Sequence, residues 1–502
     1  MTFLFTALLK MLTLKNLFFM LLGIIIGIFK ASLPGIQVNT ALALFLPLTY
    51  AMEPDSGLIM LVSFFAAAMY AGSIPAILFH TPGTTASAAS AIEGFELTKQ
   101  GKAFTALRIS AWSSAIGGLF GAFMLLFISP PLSLVALKFG PPEYFLLAVF
   151  GLVTIVTVAS GPLLIKGLIA GAAGLLLSTV GMDLDSGYPR FTFGLFPLQS
   201  GIPFVPAVIG LFVLAQILTM IEKGTTQIVS ATAVKEKWRF FPSKEEWKQI
   251  KNAVLRALPI GLVVGILPGA GADVSAWVCY NEAKRISKHP EKFGRGAIDG
   301  LAAAEIGKNT ECGGAMIPMF TLGIPGSTSS AILLGALIMY GLVPGRELFT
   351  KHGIITYTVI LGFIFANILM AVIGMLISRY IVNVTALDFR ILAPVIITIA
   401  VIGSYALGNN MYDVWVMLIF GLLGYFMMKY GFHPAAMALG LILGPMAEKG
   451  FRQSLDLATG SVITYFLTRP ISVIMIILII ATLVAPFLME KRSSQGRVTP
   501  TE

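Results

Sequence analysis

GSIPAILFHTPGTTAS (residues 72–87) and AMIPMFTLGIPGSTSS (residues 315–330) align without a gap. Pro75 meets Pro318, Pro82 meets Pro325 and Gly83 meets Gly326, while Thr84, Thr85 and Ser87 meet Ser327, Thr328 and Ser330. Each copy interrupts an apolar run with a Pro-Gly step and follows it with small hydroxyl residues. Matching chemistry at so many positions of one offset marks an internal duplication. Leu33-Pro34-Gly35 opens the first half as Leu267-Pro268-Gly269 opens the second, and Gly101-Lys102 finds a counterpart in Gly345-Arg346 if one residue is inserted.

The surroundings of these breaks decide the fold class. The chain has 502 residues, 57% hydrophobic and 12% charged, with mean hydropathy +0.88, whereas soluble domains carry about 25% charged residues. Apolar runs recur at 17–31, 58–79, 103–128, 145–159, 163–180, 202–221, 253–267, 353–377, 392–407, 414–428 and 462–488. A bilayer span needs roughly 17–25 residues, so about ten to twelve membrane-embedded helices are expected. Such uninterrupted hydropathy predicts an all-α polytopic membrane protein and excludes the alternating signal of a barrel. The first run follows Lys10 and Lys15 and continues into KASLPG with no small-x-small cleavage pattern, so it reads as a transmembrane helix.

The formal net charge of +10 reads as the Lys and Arg excess of cytoplasmic loops, not as a nucleic-acid footprint. Its main carrier is a polar stretch with Lys235, Lys237, Arg239, Lys244, Lys248 and Lys251. The expected organisation is a first transmembrane repeat (1–221), a basic cytoplasmic linker (222–252), a second repeat (253–489) and a polar, unstructured tail (490–502). Duplicated halves with Gly/Pro-broken segments at matching places point to a secondary transporter, by analogy with which inverted repeats are expected.

At membrane depth every backbone N–H and C=O needs a partner, so a chain breaks there only where protein or water supplies one. Pro82 removes a donor and Gly83 allows a tight turn, which ends one helix and starts another. Thr81, Pro82, Gly83, Thr84, Thr85 and Ser87 then stand at a helix N-terminus, where free N–H groups and the dipole attract anions. Pro325, Gly326, Ser327, Thr328 and Ser329 repeat the arrangement, and these residues form the candidate substrate site. Close helix packing is the competing reading of such small residues, and the pairs Gly23/Gly27, Gly117/Gly121, Gly167/Gly171 and Gly261/Gly265 are read that way. Packing alone does not require the same proline in both halves.

Asn39, Thr40, Asp273 and Ser275 follow the two LPG turns and, with Asn309, offer the oxygen ligands a hard cation takes. They are the candidate site for a coupling ion, Na⁺ or H⁺. The alternative for Asp273 is an acid placed at a helix N-terminus. Lys308 is expected to pair with Glu305 or Glu311 at i,i+3 spacing, and His80 to be a hydrogen-bonded structural residue. Cys279 and Cys312 lack CxxC spacing and read as packing residues. No GxxxxGK[ST], HExxH or GxSxG occurs, so no catalytic residue, resident metal or cofactor is expected.

Several long segments carry a family resemblance: GILPGAGADVSAWVCYNEAKRISKHPEKFGRGAIDGLAAAE, GGAMIPMFTLGIPGSTSSAILLGAL, IGSYALGNNMYDVWVMLIFGLLGYFMMKYGF and LILGPMAEKGFRQSL. Over residues 17–489 the chain resembles the TctA-type large membrane subunit of tripartite tricarboxylate transporters. The resemblance implies a bacterial inner-membrane symporter for carboxylates such as citrate. It implies two partners as well: a small four-helix TctB-type membrane subunit and a periplasmic or extracellular TctC-type solute-binding protein. It puts solute and ion near the Pro-Gly segments and LPG turns. The chain departs from the family pattern at His80-Thr81, Glu93, Asp273, Lys308 and Glu311, which points to an altered solute. An uncoupled permease or channel on the same scaffold is the alternative.

Overall fold

The computed structural model describes residues 2–31, 37–135, 138–160, 164–183, 186–223, 236–381, 389–458 and 460–495. Among them the one strand pairing is Gly181–Met182 with Pro189–Arg190, and nearly everything else is helix. The all-α polytopic architecture expected from hydropathy is the one observed. Seven helices are long and apolar enough to cross a membrane, and six apolar helices are shorter, among the described residues.

The principal helices in chain order are α1 (Leu14–Ala31), α2 (Val38–Thr49), α3 (Pro54–Ala71), α4 (Ser73–Phe79), α5 (Ala88–Lys99), α6 (Ala103–Val135), α7 (Pro141–Ser160) and α8 (Leu164–Ser178). They continue with α9 (Phe204–Glu222), which holds a π-helical stretch at Ile209–Leu214. Then come α10 (Lys244–Ile266), α11 (Gly271–Ile286), α12 (Ile298–Leu322), α13 (Thr328–Met339), α14 (Gly353–Ile381), α15 (Phe389–Gly408), α16 (Met411–Lys429), α17 (Pro434–Leu457) and α18 (Pro470–Gln495).

Two compact units result, Met1–Ala136 with Val205–Phe426, and Leu137–Phe204 with Met427–Glu502. The division does not follow the basic loop, as the sequence suggested, because each half contributes to both units. In the larger unit the backbone of α9 at Gly210 lies against Met417 O and Gly421 N of α16. In the smaller unit the backbone of α17 at Gly440 lies against Gly171 O and Leu175 N of α8. A helix from one half thus packs on a hairpin helix from the other in each unit, which extends the duplication from motif to fold.

The centre of the larger unit is α12, in which all residues but Asp299 and Leu322 are buried. Three of the four GxxxG pairs explain close packing here. A Cβ on Gly117 or Gly121 would lie 2.6 Å from Ile306 O or Thr310 O, and one on Gly261 or Gly265 would lie 2.9 or 2.8 Å from Gly307 O or Glu311 O. The backbones of α6 and α10 therefore grip α12 from two sides, where only glycine admits such approach. Gly23 and Gly27 serve α1 against α3 in the same way, at Met60 O and Phe64 O.

Within the basic stretch 222–252 α10 begins at a capping box in which Glu246 N donates to Ser243 Oγ at 3.2 Å and Ser243 N to Glu246 Oε2 at 2.6 Å. Buried Arg108 of α6 pairs with Glu246 at 2.6 Å, and Thr105 Oγ1 donates to Glu236 at 2.5 Å. At the other end α18 continues to Gln495, into the expected tail. Residues 224–235, 496–502 and the first LPG turn lie outside the described residues.

Candidate functional site

Both helix breaks are built from the same hydrogen bonds. In the first, α4 ends at His80 in the left-handed region, φ 55°, and Thr81 N donates to Pro75 O at 3.3 Å. In the second, α12 ends at Gly323, φ 73°, and Ile324 N donates to Pro318 O at 3.3 Å. Next, Gly83 N donates to Gly72 O at 2.9 Å and Gly326 N to Ala315 O at 3.4 Å, the aligned pairs of the duplicated motif. The new helix in each case is capped by its hydroxyls: Ser87 N donates to Thr84 Oγ1 at 3.2 Å, and Ser330 N to Ser327 Oγ at 3.4 Å. Gly83 packs on Ala31 O and Gly326 on Gly265 O, each two residues before its LPG turn. The helix ends match too: Gly101 and Gly341, φ 78° and 70°, close α5 and α13 with equivalent bonds. The counterpart proposed from sequence, Gly345, instead precedes the next helix at Arg346; Gly101 combines two roles that the second half divides.

The hydroxyls therefore have separate tasks. Thr84, Ser87, Ser327 and Ser330 hold the caps, whereas Thr85 is exposed and its Oγ1 reaches both Asp273 oxygens at 2.8 Å. Thr328 is half-buried at the aligned position, and Ser329 is buried. Asp273 lies in the first turn of α11, also exposed, so its helix-terminal placement is real; its contact with the first break joins the two halves. Of the other proposed ion ligands, Ser275 Oγ donates to Gly307 O at 2.8 Å and Thr40 Oγ1 to Phe212 O at 3.3 Å, whereas Asn309 donates through Nδ2 to Ser114 Oγ at 2.9 Å and its buried Oδ1 has no hydrogen bond among the described residues. Asn39 is half-buried on α2.

Behind the first break lies a buried ionic network. Lys308 Nζ is 3.0 Å from Glu305 with both side chains fully buried, which settles the pairing left open by the spacing. Ser73 Oγ donates to Glu305 at 2.5 Å and Ser114 Oγ at 2.7 Å, while Lys308 Nζ donates to Ser73 Oγ and, at 3.2 Å, to Ser87 Oγ. A buried pair is tolerable when its remaining donors and acceptors are satisfied in this way. Because Ser87 belongs to the first cap, the network fixes that cap to α12. His80 stacks on Phe95 at 4.8 Å, a ring contact in place of the hydrogen bond expected for it.

The family model of the tripartite tricarboxylate transporter TctA family matches residues 17–439. The chain belongs to the TctA family. It is 35% identical over 487 residues to an uncharacterized 52.8 kDa protein in the TAR-I ttuC' 3' region of Agrobacterium vitis, covering 97% of this chain and 96% of that one. It is 32% identical over 238 residues to a protein in the TAR-II ttuC' 3' region of the same organism, covering 47% of this chain and 98% of the relative. No solved structure matches. The chain is thus a multi-pass membrane protein of the tricarboxylate-transporter large-subunit type.

Two features of this TctA-family chain escape a reading by motif. Glu93, fully buried on α5, accepts from Tyr280 Oη at 2.7 Å, Gly294 N at 2.6 Å, Gly296 N at 2.8 Å and Ala297 N at 2.7 Å, and so fastens the loop between α11 and α12. Nothing local signals that role except an acid in an apolar-and-small segment. The other is Glu311, fully buried with neither carboxylate oxygen hydrogen-bonded.

Proposed function

We propose that the chain is the transmembrane carrier of a binding-protein-dependent, ion-coupled symporter for tricarboxylates or related organic anions. In this reading it resides in the bacterial inner membrane beside a small four-helix subunit and receives solute from a periplasmic binding protein. The observation that carries it is the duplicated break, bond for bond, in a TctA-family chain. Packing needs small residues, but it does not need two caps of the same construction.

The chemistry follows from helix ends. The first N–H groups of α13 and of the turn leading into α5 have no intrahelical acceptor; the first cap consumes one of them, and the second, a capping box, consumes two. The remaining donors, with the Thr85 and Thr328 hydroxyls, suit a carboxylate-bearing solute. Asp273 would repel that solute unless a cation accompanied it, so the Thr85–Asp273 contact gives a physical reason for coupling anion to Na⁺ or H⁺. Transport then consists of exposing the two breaks to alternate membrane faces, with the halves related as inverted repeats.

The test is uptake of radiolabelled citrate by cells expressing the chain with both partner subunits. Thr85→Val with Thr328→Val removes two hydroxyls and leaves both caps. Uptake is expected to fall at least about tenfold, the equivalent of about 1.4 kcal/mol for one lost hydrogen bond to a charged group, at unchanged membrane content. Uptake within about twofold of wild type at equal expression refutes the assignment. Flux that neither saturates nor responds to a Na⁺ or H⁺ gradient would identify an uncoupled permease instead.

A further inference from the structure

Glu311 is the one buried charge-bearing side chain of α12 without a partner. Glu305 and Lys308 satisfy each other, but Glu311 has no exposed surface and both Oε1 and Oε2 lack any hydrogen bond among the described residues. A bare carboxylate removed from water is strongly unfavourable unless a positive charge accompanies it.

The groups around it define what that charge is. The second break reaches this part of α12, where Gly326 N donates to Ala315 O at 3.4 Å and Gly269 N to Gly326 O at 2.8 Å, which brings Ser327 and the start of α11 with Asp273 to the neighbourhood of Glu311. The C-terminal end of α10 packs on the backbone of the same residue, where a Cβ on Gly265 would lie 2.8 Å from the main-chain Glu311 O. Its last carbonyls are orphaned for definable reasons. The usual partner of Val264 O would be Pro268, which has no N–H. That of Gly265 O, Gly269 N, is turned to Gly326 O at 2.8 Å, and that of Ile266 O, Ala270 N, bonds Leu267 O at 3.4 Å.

Among the described residues no cation answers these oxygens. Lys308 belongs to Glu305; Arg108, the charged residue of α6, pairs with Glu246; Arg256 of α10 pairs with Glu282. On α5 the acids and base are Glu93, Glu96 and Lys99: Glu93 is held by the 294–297 loop, while Glu96 and Lys99 pair with each other. On α3, Asp55 pairs with Lys10; α4 and α13 carry no charge, and Cys312 is a buried thiol.

We propose that Glu311 is the anionic ligand of a buried Na⁺ site formed with Ser327, the Asp273 carboxylate and the orphaned carbonyls ending α10. This rests on the ion-coupled reading above and names the residue that carries the ion. A proton would occupy one Glu311 oxygen and leave the other and the carbonyls bare. A hard cation engages them all, at the negative end of a helix dipole. Among the described residues no three His, Cys, Asp or Glu side chains gather, so the ligand set suits Na⁺ and not a transition metal.

The experiment uses the purified full chain in nanodiscs with NaCl as the probe, against KCl and choline chloride at equal ionic strength. Wild type is expected to show a saturable rise in unfolding temperature specific to Na⁺, because a ligand that binds only the folded state stabilises it. Glu311→Gln should weaken the apparent Na⁺ affinity at least about tenfold. Glu311→Asp, one methylene shorter, should weaken it less. Absence of a Na⁺-specific response in wild type overturns the proposal, and so does an unchanged affinity in Glu311→Gln. If Glu311→Gln does not fold, an affinity in Glu311→Asp equal to wild type overturns it. Citrate uptake separates the two levels: Na⁺ binding that depends on Glu311 without citrate transport refutes the carrier reading alone, whereas Na⁺-driven uptake undiminished in Glu311→Gln refutes this site alone.

Discussion

Replacing Lys308 by methionine tests whether the buried pair of α12 holds the first helix break in place. The change keeps much of the side chain's length but leaves Glu305 fully buried, with only the Ser73 and Ser114 hydroxyls at 2.5 and 2.7 Å. Stranding one member of a buried ion pair is expected to destabilise by about 3–5 kcal/mol. Glu305→Gln strands the ammonium and should do the same. In the double variant both charges disappear, and the expected loss falls to about 1–2 kcal/mol, that of one or two neutral hydrogen bonds. The double-mutant cycle should therefore show a large favourable coupling, at least about 3 kcal/mol. Reversible unfolding in mixed micelles at increasing denaturing-detergent fraction measures all four proteins. Single variants that each lose less than about 1 kcal/mol, or a double loss equal to their sum, would refute the reasoning, since an uncompensated buried charge cannot be that inexpensive.

Gly265→Ala pushes a methyl onto Glu311 O at 2.8 Å and Gly314 Cα at 3.0 Å, so α10 must retreat; a loss of about 1–3 kcal/mol in the same assay is expected. Glu93→Gln keeps the volume but removes the charge that four donors face; about 2 kcal/mol should be lost, and hydrogen exchange should accelerate in residues 290–297 specifically. His80→Gly relieves a left-handed residue but forfeits the stacking on Phe95, so stability should stay within about 1 kcal/mol of wild type, whereas His80→Val should lose about 2 kcal/mol because a β-branched residue resists that backbone region. Equal stability of the two His80 variants would show that the backbone there is not constrained.

The helix breaks were legible because proline and glycine act locally: Pro82 and Pro325 remove a donor wherever they stand. The packing glycines were legible for a similar reason, since a missing Cβ has the same consequence at Gly121 as at Gly265. By contrast α12 has no uniform apolar run. Glu305, Lys308, Asn309 and Glu311 lower its hydropathy, yet nearly all of it is buried, because Glu305 and Lys308 neutralise each other and hydroxyls far away in sequence satisfy the pair. Ser73 and Ser114 announce nothing by themselves. In the basic stretch 222–252 the charges alone do not show that Glu246 and Glu236 are held by Arg108 and Thr105, more than a hundred residues earlier. The sorting of the hydroxyls into caps and contacts likewise needed the backbone, for Thr84 and Thr85 differ only in where the turn places them.

Placing charge on the central helix has a mechanical consequence. The second break is the C-terminal end of α12 itself, at Gly323, while the first break is tied to the middle of α12 through Lys308 and the cap residue Ser87 at 3.2 Å. The glycine faces of α6 and α10 pack closely on the backbone of α12 between Ile306 and Gly314. One rod therefore carries both breaks. A displacement that moves the Ser327 cap must either move the Ser87 cap with it or pull Lys308 away from its buried hydroxyl partners, and the second course strands an ammonium in a dry interior. Polar residues so unfavourable to bury are explained if they tie the first helix break to the helix that ends in the second.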